Sequence, residues 1–347
     1  MSTLRICQII GGDCHQIGGL EKHFIDLCNA LADRTDCQVT ALGHPLYIDH
    51  LRENIKFIPL DLSCSRFNPI ALWRIFHVLR EEGYDIVHTH ANKATMMLAM
   101  LKRINSFHLV STLHGLKKNV KAFRRPDHVI CVSQKISEMV KNQNISVIYN
   151  GIPCSYEVSK ENKSTIRQKF NIDPTAFLVV SIGRLVEVKG FDLLLRAFVG
   201  VDAHLLIVGD GPEMKKLQKQ VFSLKLKDQV TFAGFQKNVK SIIKSADLTV
   251  IASRREGFSY VMAETLTHSC PLISTDVADI RSIIGSTFIV PPNSVKKLHD
   301  KLIWAVVNSS ELSLISDHAF SFARQEFTLD TMVTKTLDVY RKVLEFK

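Results

Sequence analysis

Two successive series of short apolar segments alternate with amphipathic stretches, and this alternation limits the folds open to the chain more than any other feature. The first series is LRICQII, CQVTAL, YDIVHTH, HLVSTL, DHVICVS and ISVIYN. The second is AFLVVSIG, AHLLIVGDG, DQVTFAGF, ADLTVIAS, CPLIST and TFIVPP. Strands that alternate with helices form mostly parallel sheets covered by helices. Each series therefore predicts one doubly wound α/β domain.

The length of 347 residues, with 46% hydrophobic content, also favours two cores over one. A polar, charge-rich stretch, SYEVSKENKSTIRQKFNIDP, separates the series and is the best linker candidate. The final stretch repeats apolar residues at roughly helical spacing, namely Met332, Leu337, Tyr340 and Leu344. We predict a first domain at 1–155, a linker at 156–175, a second domain at 176–327 and a final helix at 328–347.

Composition narrows the protein class and its location. No run approaches the roughly 20 apolar residues that span a bilayer, and the opening MSTLRICQII lacks the features of a signal peptide. The eight cysteines are scattered without a C-x-x-C pair, which favours reduced thiols over a zinc site or a disulfide framework. The net charge of +10 indicates an anionic partner: nucleic acid, a phosphate-rich ligand or an anionic membrane surface. A cytoplasmic protein is expected.

Two carboxylates in REGFSYVMAET carry the strongest chemical signal. Glu256 falls near the carboxyl end of the strand ADLTVIAS, and Glu264 lies two turns into the next helix. Open α/β sheets bind ligands in this region. The pair is suited to gripping a polyhydroxy ligand at two points. The alternative is that two glutamates near a helix start only favour its positive dipole end.

Basic and glycine-rich loops at other strand ends suit a phosphate ligand. A strand runs into Gly183 and Arg184, followed by Lys189, so a close backbone approach is combined with two cations. This arrangement is a candidate diphosphate clamp; a solvated basic loop is the alternative. The turn GDGPE and the glycine pair before Leu20 also precede helices, where free amides attract anions. Such turns often serve only packing.

Histidines and the absence of one motif bear on metal binding. His114 ends a strand before a glycine, a position compatible with a site role. His88 and His90 lie on one face of a strand end, but no third ligand sits at a recognisable spacing, so structural histidines are favoured over metal ligands. No D-x-D motif is present. We therefore predict no metal, with Arg184 and Lys189 carrying the countercharge.

The ordered motifs resemble those of retaining, GT-B-fold glycosyltransferases of family 4. The matching segments are GGLEKHF, HTHANKA, STLHGLK, VICVSQ, VIYNGI, SIGRLVEVKGFDLLLRAF, LLIVGDGPE, VTFAGFQKNV and ADLTVIASRREGFSYVMAETLTHSCPLIST. The resemblance spans nearly the whole chain. It implies two Rossmann-like domains facing across a cleft, with the nucleotide-sugar held by the second, acceptor contacts mainly from the first, a final helix crossing back, and catalysis without a metal or cofactor.

The resemblance also assigns residues. Arg184 and Lys189, beside Gly183, match the diphosphate-binding pair, Glu264 the carboxylate for the ribose hydroxyls, and Glu256 the one for the donor sugar. The remaining matches are backbone amides at Gly257, Phe258 and Ser259, a base contact at Phe235, a glycine near the donor phosphate at Gly19, and the histidine beside the transferred sugar at His114. The chain departs from the family after Glu264, where the usual E-A-x-A-x-G-x-P is ETLTHSCP and Ser269 replaces the glycine.

The leading hypothesis is a retaining, metal-independent transfer of a hexose or N-acetylhexosamine from a UDP-sugar to a glycan or glycolipid acceptor. The setting is the biosynthesis of cell-surface polysaccharide or lipopolysaccharide. The alternatives are a GT-B nucleotide-sugar epimerase and a non-catalytic glycan-binding subunit. No nucleic acid partner is expected. Nothing in the motifs marks a nucleophile, which favours attack by the acceptor on the face that the leaving group vacates.

A basic segment suggests where the protein works. GLKKNVKAFRRPD contains five cations before the first acidic residue: Lys117, Lys118, Lys121, Arg124 and Arg125. Near an anionic leaflet each contributes about 1 kcal/mol, enough together for reversible attachment. We predict that this patch attracts an anionic membrane surface or a lipid-linked acceptor, which makes the protein peripheral at the cytoplasmic face. A solvated basic loop is the alternative.

Overall fold

The computed structural model describes residues 3–11, 17–116, 119–153 and 163–345. Its internal contacts divide the chain into two compact units. The first comprises Met1–Pro153 together with Thr328–Lys347, and the second comprises Cys154–Phe327. The final helix is thus grouped with the first unit. Within the range predicted as a linker, the described part begins with a helix at Lys163–Lys169, whose Ile166 is fully buried in the core of the second unit.

The first unit is built on a seven-stranded parallel sheet. Its strands are β1 (Leu4–Ile10), β2 (Cys37–Gly43), β3 (Lys56–Pro59), β4 (Ile86–His90), β5 (His108–Leu113), β6 (His128–Cys131) and β7 (Ile145–Val147). Its helices are α1 (Gly19–Ala32), α2 (Pro69–Glu82), α3 (Ala91–Leu101), α4 (Gln134–Ser137) and the final helix (Leu329–Glu345), with 3-10 turns at Pro45–His50 and Lys121–Arg124.

The strand order is β3-β2-β1-β4-β5-β6-β7, so the order reverses between β1 and β4. One face carries a core formed with α1 and the final helix, to which Phe24, Leu27 and Tyr340 contribute. The opposite face carries a core formed with α2 and α3. The six strands predicted for this half are confirmed, and β3 is additional.

The second unit repeats the plan with six parallel strands. They are β8 (Leu178–Ile182), β9 (His204–Val208), β10 (Val230–Gly234), β11 (Leu248–Ile251), β12 (Leu272–Thr275) and β13 (Ile289–Val290). Its helices are α5 (Lys163–Lys169), α6 (Phe191–Ala197), α7 (Met214–Ser223), α8 (Lys240–Ser245), α9 (Tyr260–Thr267), α10 (Ile280–Ile284), α11 (Val295–Val307), α12 (Leu312–Ile315) and α13 (Asp317–Glu326), with 3-10 turns at Glu187–Lys189 and Ser286–Phe288. The final helix, Leu329–Glu345, is α14.

The order of this second sheet is β10-β9-β8-β11-β12-β13, which reverses between β8 and β11. All six predicted strands are confirmed. Strands buried on both faces are continuous apolar runs, which is why the sequence reveals them. Within the described ranges, no helix is both long and apolar enough to cross a membrane.

Candidate functional site

The order reversal of the second sheet brings two predicted site segments together. The loop after β8 contains Gly183, Arg184 and Lys189, and the loop after β11 runs from Ser253 to Ser259. Because β8 and β11 are neighbouring parallel strands, their carboxyl ends meet at one edge of the sheet. In doubly wound folds ligands bind at such a switch point.

An ion pair joins the two loops. Lys189 Nζ lies 2.5 Å from Glu256 Oε1, which also accepts a hydrogen bond from Ser253 Oγ at 2.7 Å. The two charged side chains are 26% and 11% exposed. The aliphatic part of Lys189 runs alongside Gly183, where an added β-carbon would lie 3.8 Å from its Cδ and Cε. The cation and the carboxylate therefore occupy one partly shielded position.

Close backbone packing fixes the loop after β8. Gly190 has φ of 70°, and an added β-carbon there would lie 2.0 Å from the carbonyl oxygen of Ala252, so only glycine fits. Arg254 N donates to Val188 O at 2.8 Å, and its guanidinium binds both carboxylate oxygens of Asp192 at 2.9 and 2.8 Å. A bidentate pair of this kind is geometrically specific. Sequence reasoning missed the supporting pair of Arg254 and Asp192, which leaves no recognisable signal in the sequence.

Arg184 lies in different surroundings from Lys189. It is exposed, and among the described residues no carboxylate lies within ion-pair distance of it. The neighbouring GDGPE turn packs against its loop: a β-carbon on Gly209 (φ 137°) would lie 1.9 Å from Gly183 O, and Leu185 N donates to Asp210 O at 2.8 Å. Arg184 is thus a cation held on a supported loop.

Helix α9 carries the other carboxylate. Ser259 is its N-cap, with Oγ accepting from Met262 N at 3.2 Å. Glu264 lies in the same helix and is partly buried. Phe258 packs edge-on against Phe327 with ring centroids 5.6 Å apart, which holds the segment containing Gly257 in place.

Two further residues of the second unit lie outside these two loops. Phe235 follows the edge strand β10, which β9 separates from β8, and its side chain is 72% exposed. Ser269, where family members have glycine, takes φ of 56° in the left-handed region, so the backbone itself explains the family's glycine. A larger cavity of about 1170 Å³ lies at the opposite, amino-terminal edge of the sheet and is lined by none of the predicted site residues.

The first unit contains a buried polar network that sequence reasoning assigned only in part. Gln8 Nε2 donates to the Tyr340 hydroxyl at 2.9 Å, which in turn is 2.6 Å from His88 Nδ1. Gln8 Oε1 is 2.8 Å from His90 Nε2, and His90 Nδ1 is 3.2 Å from His114 Nε2. His88 and His90 are fully buried and hydrogen-bonded.

This network assigns the ring protons. Because Gln8 Oε1 only accepts, His90 carries its proton on Nε2 and presents a bare Nδ1 to His114. His114 then donates from Nε2. Burial holds the pKa of His90 and His114 well below the ordinary value, so both rings are neutral at physiological pH.

His23, on α1, completes the group. It is 3% exposed, and its ring centroid lies 4.6 Å from that of His114. Burial lowers the pKa of His23 to about 4. The Asn150 side chain partly offsets this shift, although no hydrogen bond of normal geometry joins it to the ring. In the sequence His23 is a single histidine on the apolar side of a helix, which carries no functional signal.

The other predicted residues of the first unit lie in two places. Gly19 is the first residue of α1, and Gly18, its N-cap, donates its amide to Glu21 Oε2 at 2.9 Å. Of the basic patch, Lys121, Arg124 and Arg125 are exposed around a groove of about 370 Å³ with Arg103, Met96 and Met100. Lys117 and Lys118 lie outside the described residues.

Comparison with known proteins now identifies the family. The model for "Glycosyltransferase Family 4" matches residues 17–156, and the model for "Glycosyl transferases group 1" matches residues 162–320. The chain belongs to the family 4, group 1 glycosyltransferases. The predicted family is confirmed.

Similar proteins span the whole chain. N-acetyl-alpha-D-glucosaminyl L-malate synthase of Bacillus anthracis is 25% identical, with 96% of this chain and 97% of that protein covered. The lipopolysaccharide core biosynthesis glycosyltransferase LpsE of Rhizobium meliloti is 28% identical, with 74% of this chain and 76% of that protein covered. The crystal structure of Anabaena HepE in complex with UDP has a TM-score of 0.83 at 22% identity. The match covers 98% of this chain and 100% of the HepE chain. The GT-B fold class is thereby confirmed.

Proposed function

We propose that this family 4 glycosyltransferase transfers a hexose or N-acetylhexosamine, with retention of anomeric configuration, from a UDP-sugar to a glycan or glycolipid of a cell-surface polysaccharide or lipopolysaccharide. The observation that carries the proposal is the Lys189–Glu256 pair at the switch point of the second sheet. It supplies a cation for a diphosphate and a carboxylate for sugar hydroxyls at one position. The UDP complex of HepE supports the donor, and the role of LpsE in lipopolysaccharide core biosynthesis supports the pathway.

The donor's charge determines what each residue does. As the anomeric C–O bond breaks, negative charge grows on the UDP leaving group, and cations already in place stabilise it without reorganisation. Arg184 and Lys189 supply two cations, and the backbone amides at the start of α9, around Gly257 and Ser259, add partial positive charge. Phe235 and Glu264 are then the contacts for the base and the ribose. No divalent metal is required in this scheme.

Retention is proposed to follow from attack on the face that the leaving group vacates. A phosphate oxygen of the departing UDP takes the acceptor's proton, so no strong protein base is needed. His114 lies in the first unit with Nε2 donating to His90, and that hydrogen bond orients its ring. In the proposal His114 contacts the transferred sugar, and Gly19 approaches the donor phosphate.

A nucleotide-release assay tests the function. The purified chain is incubated with UDP- and GDP-sugars, with and without candidate acceptor glycans, in the presence of EDTA, and free nucleotide is measured. Acceptor-dependent UDP release and a product whose proton NMR coupling shows the donor's anomeric configuration are expected. Inversion at the anomeric carbon or a strict need for manganese contradicts the mechanism. Conversion of the sugar without an acceptor favours the epimerase alternative, and no release from any donor favours a non-catalytic subunit.

The exposed cations around the first unit's groove support an anionic acceptor at the cytoplasmic face of a membrane. Lys121, Arg124 and Arg125 rim a floor that includes Met96 and Met100, which suits a molecule with an anionic head and an apolar part. Each cation near an anionic leaflet contributes about 1 kcal/mol. We expect sedimentation with anionic but not neutral liposomes at low salt, reversed by high salt.

A charge-matched pair of variants isolates the patch. Changing Lys121, Arg124 and Arg125 to Ser should abolish sedimentation with anionic liposomes. Changing three exposed lysines of the second unit, Lys219, Lys296 and Lys297, removes the same charge and should leave most of it. Equal loss in both variants would show that net charge, and not the patch, drives binding.

A further inference from the structure

Three imidazoles of the first unit converge from three separate elements. His23 lies on α1, His90 ends β4, and His114 follows β5. Each offers one ring nitrogen, and these nitrogens all lie within 4.8 Å of one another. We propose that His23, His90 and His114 form a binding site for a divalent transition metal ion of the zinc type.

One nitrogen–nitrogen separation in the group already suits such an ion. Nitrogens bound tetrahedrally to zinc at about 2.0–2.1 Å lie about 3.3–3.4 Å apart. His90 Nδ1 and His114 Nε2 are already 3.2 Å apart. For that pair to bind an ion, the proton on His114 Nε2 must move to Nδ1, which keeps the ring neutral and frees the Nε2 lone pair.

His23 supplies an independent observation. It is 3% exposed; its ring interacts with the Asn150 side chain, but among the described residues neither ring nitrogen has a hydrogen bond of normal geometry. The large majority of buried polar side-chain atoms are hydrogen-bonded, and an exception calls for an ion or a water molecule. The His114 Nδ1 atom is likewise buried without a described partner. A bound ion satisfies a lone pair of His23 that the protein itself leaves open.

The supporting hydrogen bond on His90 is of the kind that metal-binding histidines have. Gln8 Oε1 accepts from His90 Nε2 at 2.8 Å, which keeps the lone pair on Nδ1, the atom facing His114. Gln8 is fixed in turn by Tyr340 at 2.9 Å. Such second partners set the tautomer and the ring orientation of a ligating histidine.

The ligand set determines which ions fit. Three neutral imidazoles favour Zn²⁺, Co²⁺, Ni²⁺ or Cu²⁺ and disfavour Mg²⁺ and Ca²⁺, which prefer oxygen ligands. Three protein ligands leave a fourth position open, and the uncompensated charge favours an anionic oxygen there. If the proposed function holds, an ion that engages His114 withdraws it from the sugar and slows transfer.

Binding can be tested without any activity. The full chain is treated with EDTA, desalted and titrated with Zn²⁺ by calorimetry and with Co²⁺ by visible absorption. About one ion per chain and the d–d bands of four-coordinate Co²⁺ are expected, with no response to Mg²⁺ or Ca²⁺. His23→Ala should weaken binding at least about 100-fold, and Gln8→Leu about 10–100-fold, the usual cost of a lost supporting hydrogen bond. The exposed His77, paired with Glu81, gives the control variant His77→Ala, which should bind as wild type.

The outcomes are decisive. Absence of binding, equal binding by His23→Ala, or a thiolate-to-cobalt charge-transfer band overturns the proposal. His114→Ala is a second variant in case His23→Ala does not fold, because His114 is only partly buried. Inhibition of transfer by Zn²⁺ is a separate readout: metal binding without inhibition leaves the site intact and counts against the proposed role of His114.

Discussion

Replacing Glu256 with glutamine removes one charge from the candidate donor site while keeping its shape. Glu256 Oε1 accepts hydrogen bonds from Lys189 at 2.5 Å and from Ser253 at 2.7 Å. The amide oxygen of glutamine can accept both hydrogen bonds in the same geometry. A hydrogen bond to a charged group contributes about 1.5–3 kcal/mol and a neutral one about 0.5–1.5. After allowance for solvent screening of Lys189, which is 26% exposed, we expect a loss of about 1 kcal/mol in the free energy of unfolding.

The same change should separate binding from turnover. Without the negative charge, residue 256 holds Lys189 less strongly, so UDP alone should bind about fivefold more tightly, equivalent to about 1 kcal/mol. The sugar loses a charged acceptor near the reacting carbon, so kcat at saturating donor should fall about 10–150-fold, equivalent to 1.5–3 kcal/mol. Calorimetry with UDP and the nucleotide-release assay measure the two effects.

Two comparisons make the test specific. Glu264→Ala, in the helix that begins after Ser259, should mainly raise the donor KM because the ribose is far from the reacting carbon. Glu81→Gln, an exposed glutamate of α2, should change neither quantity. Wild-type kcat for Glu256→Gln under saturating donor would refute the assignment of Glu256 to the sugar.

Three further predictions follow from individual contacts. Arg184→Ala and Lys189→Ala should each weaken UDP binding by about 1.5–3 kcal/mol, as measured by calorimetry. Only Lys189→Ala should lower thermal stability, because Arg184 forms no ion pair among the described residues. Unchanged UDP affinity in both variants would refute the proposed diphosphate clamp. Ser269→Gly relieves a left-handed backbone (φ 56°) that costs roughly 1–2 kcal/mol, against an entropic penalty for glycine of about 0.5–1 kcal/mol, so it should raise the free energy of unfolding by about 0.5–1 kcal/mol. Ser223→Gly in the helix α7 should lower it, and the denaturant midpoints of both variants check the signs. The folded-state pKa of His23, about 4 against 6.5, means that the unfolded chain binds the proton more strongly, so its contribution is complete above pH 6.5 and falls by about 1.4 kcal/mol per pH unit as pH drops toward 4. Urea unfolding at several pH values should show a shallower slope for His23→Phe, and an identical slope would contradict the assignment.

The fold was predictable because central strands of parallel sheets are continuous apolar runs. β3 escaped because it has only four residues, KFIP, starts with lysine, ends with proline and lies at the sheet edge, where burial on both faces is not required. The positions of Lys189 and Glu256 in loops that follow strands were also predictable, since each loop comes after an apolar run. Their mutual ion pair was not, because 67 residues separate them and only the order reversal between β8 and β11 brings their loops together.

The grouping of His23 with His90 and His114 could not be predicted from the sequence. His88 and His90 stand out because they alternate on one strand, but His23 belongs to the apolar repeat of α1, and its position beside His114 depends on how that helix packs on the sheet. Tyr340 was expected only as an apolar residue of the last helix. Its hydroxyl, 332 residues away from Gln8 in the chain, completes the hydrogen bonds that set the His90 tautomer.

The glycines of the second unit show how a motif and its physical cause can differ. A glycine-rich turn at a strand end suggests a phosphate cradle, yet Gly190 and Gly209 each have a backbone carbonyl oxygen within 2.0 and 1.9 Å of where a β-carbon would stand. Those oxygens belong to Ala252 and Gly183, so both glycines are required because one loop packs on the next. The groups left to meet a ligand in the proposed donor site are the charged side chains of Arg184, Lys189 and Glu256. The glycines allow the packing that holds their loops at a common edge of the sheet.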